Sequence, residues 1–129
     1  MSRGYRPQRL GEEIRKIISD MLARGELKDP GFRGFISVHA VEVTRDSSYA
    51  TVYITVSTDL SADPASDEEK RGVLDAFERS RGFIRTEVAK AIRIRHIPEI
   101  LFRFDDSLEY GLKMDRILNE LNIPAEEEE

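Results

Sequence analysis

The chain has 129 residues, 40% of them hydrophobic and 35% charged, with a formal net charge of −5 and no cysteine. That length sets one domain with a modest core as the default, and the missing thiols exclude disulfides and thiolate metal sites. No apolar stretch approaches the roughly 20 residues of a bilayer span, and no apolar signal core follows the basic start MSRGYRPQRL; a cytoplasmic protein without a membrane partner is expected.

Residues 1–8 read as a basic arm, with Arg3 and Arg6 followed by Arg9. Leu10, Ile14, Ile17, Ile18, Met21 and Leu22 recur at helical spacing and predict a helix over 9–24, stopped by Gly25. The turn-rich GELKDPGFRG at 25–34 leads to FISVHAVEV at 35–43, a β-branched run that predicts a strand. A short polar link, TRDSS, joins it to YATVYITVS at 49–57. There Ala50, Val52, Ile54 and Val56 face one way and Tyr49, Thr51, Tyr53 and Thr55 the other, as in a half-buried hairpin strand.

After a loop at 58–66, Ser66 or Asp67 is placed to cap a helix over 67–79 with Val73, Leu74 and Phe77 inward. Gly82 predicts a break or kink. A second helix over 83–94 would bury Phe83, Ile84, Val88, Ala91 and Ile92. Pro98 opens a third strand with Ile100, Phe102 and Phe104 on one face and Leu101 and Arg103 on the other. Its pairing is open; a parallel partner would make the sheet mixed. Asp106-Ser-Leu-Glu109 spells a capping box before a short helix over 107–121, and 122–129 read as an acidic, disordered tail. The whole predicts one α+β domain over 9–121, with helices on one face of a three-stranded sheet.

Charge alternates along the chain: +3 over 1–28, −5 over 29–79, +4 over 80–104 and −7 over 105–129. Fifteen of the 20 basic residues are arginine, the side chain that grips phosphate bidentately and stacks on bases. Arg81, Arg85, Lys90, Arg93 and Arg95 interleave with the apolar positions of 80–97, so one side can be buried while the other faces a polyanion. Arg45 in the hairpin link and the arm residues Arg3, Arg6 and Arg9 are weaker candidates, with Tyr5 placed to stack on a base. The catalytic search yields nothing comparable. His39 and His96 fall in different elements, and the carboxylates Asp105, Asp106 and Glu109 are accounted for by a helix start. No P-loop, zinc-protease or serine-hydrolase motif is present. No catalytic residue, metal or cofactor is expected.

Helix, strand, strand, helix, helix, strand is the order of the type II KH domain, an RNA-binding fold whose GxxG loop clamps the nucleic acid. Gly31-Phe32-Arg33-Gly34 spells GxxG but stands before the first strand; where the loop belongs, the chain has Ser80-Arg81-Gly82. With the stretches RPQRLGEEIRKIISDML, VEVTRDSSYATVYITV and RGFIRTEVAKAIRIRHIPEILFRFDDSLEYGLKMDRIL, which span most of residues 6–118, this resembles the bacterial ribosome-binding factor A family. The resemblance implies a KH-like fold with a kinked helix pair in place of GxxG. It also implies a non-enzymatic factor for late assembly of the small (30S) ribosomal subunit. Its expected partners are that subunit, 16S rRNA and the rRNA precursor whose processing it assists, with other maturation factors as candidates. The family adds a part in cold adaptation, and a monomer is expected. Ser80, Arg81, Gly82, Arg85, Lys90, Arg93 and Arg95 are then the RNA-facing set. The rival reading is a protein adaptor using the open sheet face and Tyr49 and Tyr53; a nuclease is a distant third.

Overall fold

The computed structural model describes residues 6–57 and 65–105. Its elements are α1 (Pro7–Ala23), β1 (Phe35–Val43), β2 (Tyr49–Ser57), α2 (Asp67–Arg79), α3 (Arg81–Ile92) and β3 (Glu99–Phe104). This is the order expected from the pattern. Arg3, Tyr5, the helix over 107–121 with its capping box, and the tail at 122–129 lie outside the described residues.

β2 is the middle strand, antiparallel to β1 and parallel to β3. The sheet is therefore mixed, and the open question of the third strand's partner is resolved in favour of β2. The alternation of β2 explains its place. Ala50, Val52 and Ile54 are fully buried under the helices, and their cross-strand partners Val43, Val41 and Val38 on β1 and Ile100, Phe102 and Phe104 on β3 share that face. β1 carries a bulge at His39, between the Val38 and Ala40 pairs. The extra residue keeps the apolar positions on both sides of it facing the helices.

α1 begins at Pro7, two residues earlier than the spacing suggests, because proline at the first helical position has no N–H to waste. Leu10, Ile14, Ile18 and Met21 are buried, while Ile17 and Leu22 pack at the margin. Gly11 is what lets this helix lie on the sheet: a Cβ there would run into the Val41 carbonyl. The helix ends as a Schellman motif, with Gly25 N–H on Leu22 O and Glu26 N–H on Met21 O.

α2 starts at Ser66, whose side chain accepts from Glu69 N–H while the Glu69 carboxylate accepts from Ser66 N–H. Phe77 joins three layers. It stacks on Phe102 of β3 at 4.9 Å and meets Phe32 of the 24–34 loop edge-on, also at 4.9 Å. The same loop is locked to α2 by Asp29, which accepts from Arg79 Nε at 2.7 Å, Arg79 Nη2 at 2.8 Å and Gly31 N–H at 2.9 Å. The GxxG spelling has its explanation here. A Cβ on Gly31 would sit 2.8 Å from Gly72 O, and one on Gly34 2.7 Å from Ser57 O, so both glycines serve close packing.

In α3 the buried stripe is Ile84, Val88 and Ile92. Phe83 and Ala91, expected inward, are exposed, Phe83 at 48%. Two overlapping apolar stripes can be drawn on this helix, and its packing against α1 and β3 selects the one spaced by four. The helix also begins two residues earlier than expected and stops at Ile92, leaving Ile94 half-buried beyond its end. Among the described residues no helix is long and apolar enough to cross a membrane.

Candidate nucleic-acid interface

The junction of α2 and α3 is a single residue. Ser80 closes one helix and opens the next at φ −92° and ψ 2°, its N–H shared between Ala76 O and Phe77 O. The break thus falls at Ser80, and Gly82, expected to make it, lies inside the first turn of α3. First-turn N–H groups have no intrahelical partner, so a glycine there costs the helix little. A Cβ built on Gly82 would meet nothing within 4 Å. α2 opens with a capping box and three carboxylates, Asp67, Glu68 and Glu69, whereas α3 has neither a side-chain cap nor an acidic residue in its first turn. The positive end of the α3 dipole is left uncompensated at the place where a KH loop would stand.

The basic side chains sort into two groups. Arg81 pairs with Glu78, and Lys90 Nζ lies 3.3 Å from Glu87. Arg85, expected to face outward, turns its guanidinium inward along the chain: Nη2 donates to Ile97 O at 2.8 Å and Nε to Pro98 O at 3.3 Å, with a Glu99 oxygen 3.9 Å away. Its fork of five donors suits the two carbonyls of a segment that must return from α3 to β3 without secondary structure of its own. Arg85 is therefore a strut of that connection. Arg93 and Arg95 are exposed and have no ion pair among the described residues. Arg93 ends α3 in the left-handed conformation at φ 63°.

Between α3 and the returning connection runs a groove of about 580 Å³, lined by Gly82, Arg85, Thr86, Ala89, Arg95 and His96, with Ile97 at its base. His96 falls on the charged side of the alternation over 92–97, whereas Thr86 and Ala89 carry no charge and escape that pattern. A signal for them exists: Gly82, Thr86 and Ala89 are small residues recurring at helical spacing opposite the apolar stripe, which leaves room along that face.

Arg45 sits in the β1–β2 link, where Thr44 O accepts from Ser47 N–H and the Asp46 carboxylate accepts from Ser48 N–H and Thr44 Oγ1. The Ser48 bond, first, and the Thr44 hydroxyl hold that carboxyl below its usual range. The link is therefore ordered by its own acid, and Arg45 stands exposed without an ion pair among the described residues. Ser48 O accepts from Glu99 N–H at 2.9 Å, so the link and the start of β3 occupy the same end of the sheet. Gly11 against Val41 and Val43 places the start of α1 at that end too, with Arg6 and Arg9 on its exposed surface. The fold thus brings Arg6, Arg9, Arg45 and Arg95 to one end, with Arg93 opening the connection that leads there. The first turn of α2 follows Ala65, whose N–H reaches Val56 O at the other end of β2, and Asp105 N–H reaches Ile54 O there. The three carboxylates of that first turn thus lie at the opposite end of the sheet from Arg45.

The open sheet face is different in kind. Tyr49 is 49% and Leu101 38% exposed, and the Tyr53 hydroxyl donates to Glu42 at 3.2 Å; burial, and then the Glu42 charge, push that phenol up. A second groove, about 630 Å³ between the end of α1 and the start of β1, has no charged residue in its lining.

A family model described as ribosome-binding factor A matches residues 6–118. The ribosome-binding factor A of Magnetococcus marinus is 41% identical over 119 residues, covering 92% of this chain and 90% of that protein. A Thermotoga maritima protein solved in solution superposes with a TM-score of 0.60 at 33% identity, over 80% of this chain and 90% of its own. Thermus thermophilus ribosome-binding factor A, as fitted into a cryo-EM map of its 30S complex, shares the fold at 22% identity and a TM-score of 0.56, over 74% of this chain and 91% of its own. With the helix–strand–strand–helix–helix–strand order and the Ser80 junction in place, this chain belongs to the ribosome-binding factor A family.

Proposed function

We propose that this protein is a non-enzymatic assembly factor that binds the small ribosomal subunit and its 16S rRNA late in maturation, while the rRNA precursor is processed. Its relatives are named for ribosome binding, and the exposed cations beside the groove suit contact with a polyanion. The observation that carries the reading is the pair of exposed cations Arg93 and Arg95, without an ion pair among the described residues, beside a groove that begins at the uncapped start of α3. Phosphates would meet these two, with Arg45, Arg6 and Arg9 adding contacts as the strand curves round the same end. Binding would favour one rRNA arrangement over another by the difference in affinity for the two, which is the only way a ligand moves such an equilibrium.

The test is the double variant Arg93→Glu and Arg95→Glu. Its affinity for small subunits and for naked 16S rRNA should fall by about 10- to 100-fold at a fixed, near-physiological salt, measured well below a melting temperature that drops slightly because the substitution at 93 places a carboxylate at the C-terminus of α3. Affinity equal to the unsubstituted protein would remove this face from the interface. Purified protein incubated with precursor rRNA and magnesium should leave the RNA intact; specific cleavage would overturn the non-enzymatic reading.

A protein-adaptor reading is favoured by the uncharged groove at the start of β1 and by exposed Tyr49 and Leu101. It predicts that binding to ribosomal proteins survives the arginine reversals and responds little to salt.

A further inference from the structure

Four large apolar side chains are exposed among the described residues: Phe35, Tyr49, Leu101 and Phe83. The first three lie on the sheet. Phe83 alone stands on a helix, and it is 48% exposed. It sits about 100° round α3 from Ile84, off the buried stripe of Ile84, Val88 and Ile92. Stability does not call for a phenyl ring there. Phenylalanine is a weaker helix former than lysine, arginine or glutamate, and its exposed area is unfavourable in water.

Around Phe83 the surface is that of the groove. Thr86, three positions on and on the same side of the helix, lines the groove together with Gly82. Phe83 is thus on the shoulder of that groove, with Arg95 and His96 along its other wall. Lys90 lies two turns further along the same line. The only acid of α3, Glu87, is answered by Lys90 at 3.3 Å, and Glu78, at the end of α2, by Arg81. Helical side chains tilt toward the start of their helix, which directs Phe83 back to the Ser80 junction. There Gly82 leaves room, since a Cβ on it would meet nothing within 4 Å. A flat apolar face set among cations is the composition of a single-strand binding surface, where bases stack on aromatic rings while phosphates meet basic side chains.

We propose that Phe83 is the stacking platform for an unpaired nucleobase of single-stranded RNA. The inference rests on the RNA-facing role assigned to this groove, and adds a contact to base where Arg93 and Arg95 supply contacts to phosphate. Those arginines meet any polyanion, duplex or single strand alike. A stacked base is different. Within a duplex both faces of each base are covered by its neighbours, so only an unpaired base can offer a face to Phe83. The ring makes the grip selective for single strands and splayed loops without reading a particular base, since every base has a π-face. It also divides the affinity into a phosphate part that falls steeply with salt and a stacking part that does not.

The chain has no tryptophan, so Phe83→Trp places a single fluorophore at the proposed contact. Phe35→Trp, at the end of the sheet away from Arg45, is its control. Both are titrated at about 50 mM salt with an oligoadenylate of about 12 nucleotides, with a long adenylate–uridylate duplex, and with heparin, a polyanion without bases. The oligoadenylate should quench Phe83→Trp, the duplex and heparin should not, and none should quench Phe35→Trp. Phe83→Leu keeps an apolar side chain and loses the π-face. It should bind the oligoadenylate about 5- to 30-fold more weakly, with the salt slope and the melting temperature unchanged. Oligoadenylate binding without quenching, quenching by heparin as well, or equal affinity of Phe83→Leu would overturn the stacking contact and leave the RNA-facing reading standing. Quenching by small subunits but by no naked RNA would seat Phe83 on a ribosomal protein and overturn the contact too. No RNA binding by the unsubstituted protein would bring down the RNA-facing reading, and the stacking with it.

Discussion

Asp29 and Arg79 are 50 positions apart and bind in two parallel hydrogen bonds, with Gly31 N–H as a third donor to the same carboxylate. These contacts, the Arg79 bonds foremost, hold the Asp29 carboxyl down at about 2, against 3.8 for the ordinary group. A folded-state value below the unfolded one means that the stabilisation is complete above about pH 4 and is lost as pH falls toward 2. Asp29→Asn should therefore melt below the unsubstituted protein at neutral pH by a margin that stays constant down to about pH 4 and then closes. Thermal melts across that range check this; a margin independent of pH down to 2 would mean that the carboxylate's charge has no part in the lock. None of this pairing was legible in the sequence. DPGFRG reads as a turn, and which arginine answers its aspartate depends on where the sheet brings α2. Arg85 shows the same limit from the other side. Counted as a cation on a helix face it looks like a phosphate ligand, but a nearby stretch of bare backbone carbonyls claims it first.

At the scale of elements, helix faces with one possible stripe were readable and those with two were not. α1 and β2 came through because spacing left each a single way to bury its apolar residues. In α3, Phe83 and Ala91 extend the stripe on paper, and only contact with α1 and β3 decides against them. Which strand β3 joins is likewise a non-local choice, fixed by the α2–α3 crossover returning to the far side of β2. The glycines separate helix propensity from packing. Alanine is the better helix former by about 1 kcal/mol, but at Gly11 its methyl would overlap the Val41 carbonyl, part of a backbone held in the sheet ladder. Overpacking of that kind costs about 1–3 kcal/mol, and a backbone atom yields less than a side chain, so packing wins. Gly11→Ala should lower stability by about 1–2 kcal/mol, whereas Gly82→Ala, with open space around it, should leave stability equal or raise it by up to about 1 kcal/mol. Denaturant titration of the pair checks this; equal effects would mean that α1 shifts to accommodate a methyl.

Over the whole molecule, a net charge of −5 is compatible with gripping a polyanion because the net charge alternates between segments, positive over 1–28 and 80–104 and negative over 29–79 and 105–129. β2 has nine residues and spans about 30 Å, several Debye lengths at physiological salt. The carboxylates of the first turn of α2 therefore hardly reach an RNA seated at the Arg45 and Arg95 end. The number of cations meeting phosphate is readable from salt dependence, since each contact adds about 0.7 to 0.9 to the slope of log affinity against log salt. Arg93→Ala with Arg95→Ala should reduce that slope by about 1.4 to 1.8 and leave stability alone. Arg85→Ala should do the reverse. Its guanidinium is held by Ile97 O and Pro98 O, so removing it should lower stability by about 1–2 kcal/mol while the slope, measured well below the melting temperature, stays as in the unsubstituted protein. A slope loss of one contact in Arg85→Ala with no change in stability would mean that Arg85 leaves its carbonyls for a phosphate when RNA binds, and that the connection entering β3 is remodelled in the complex.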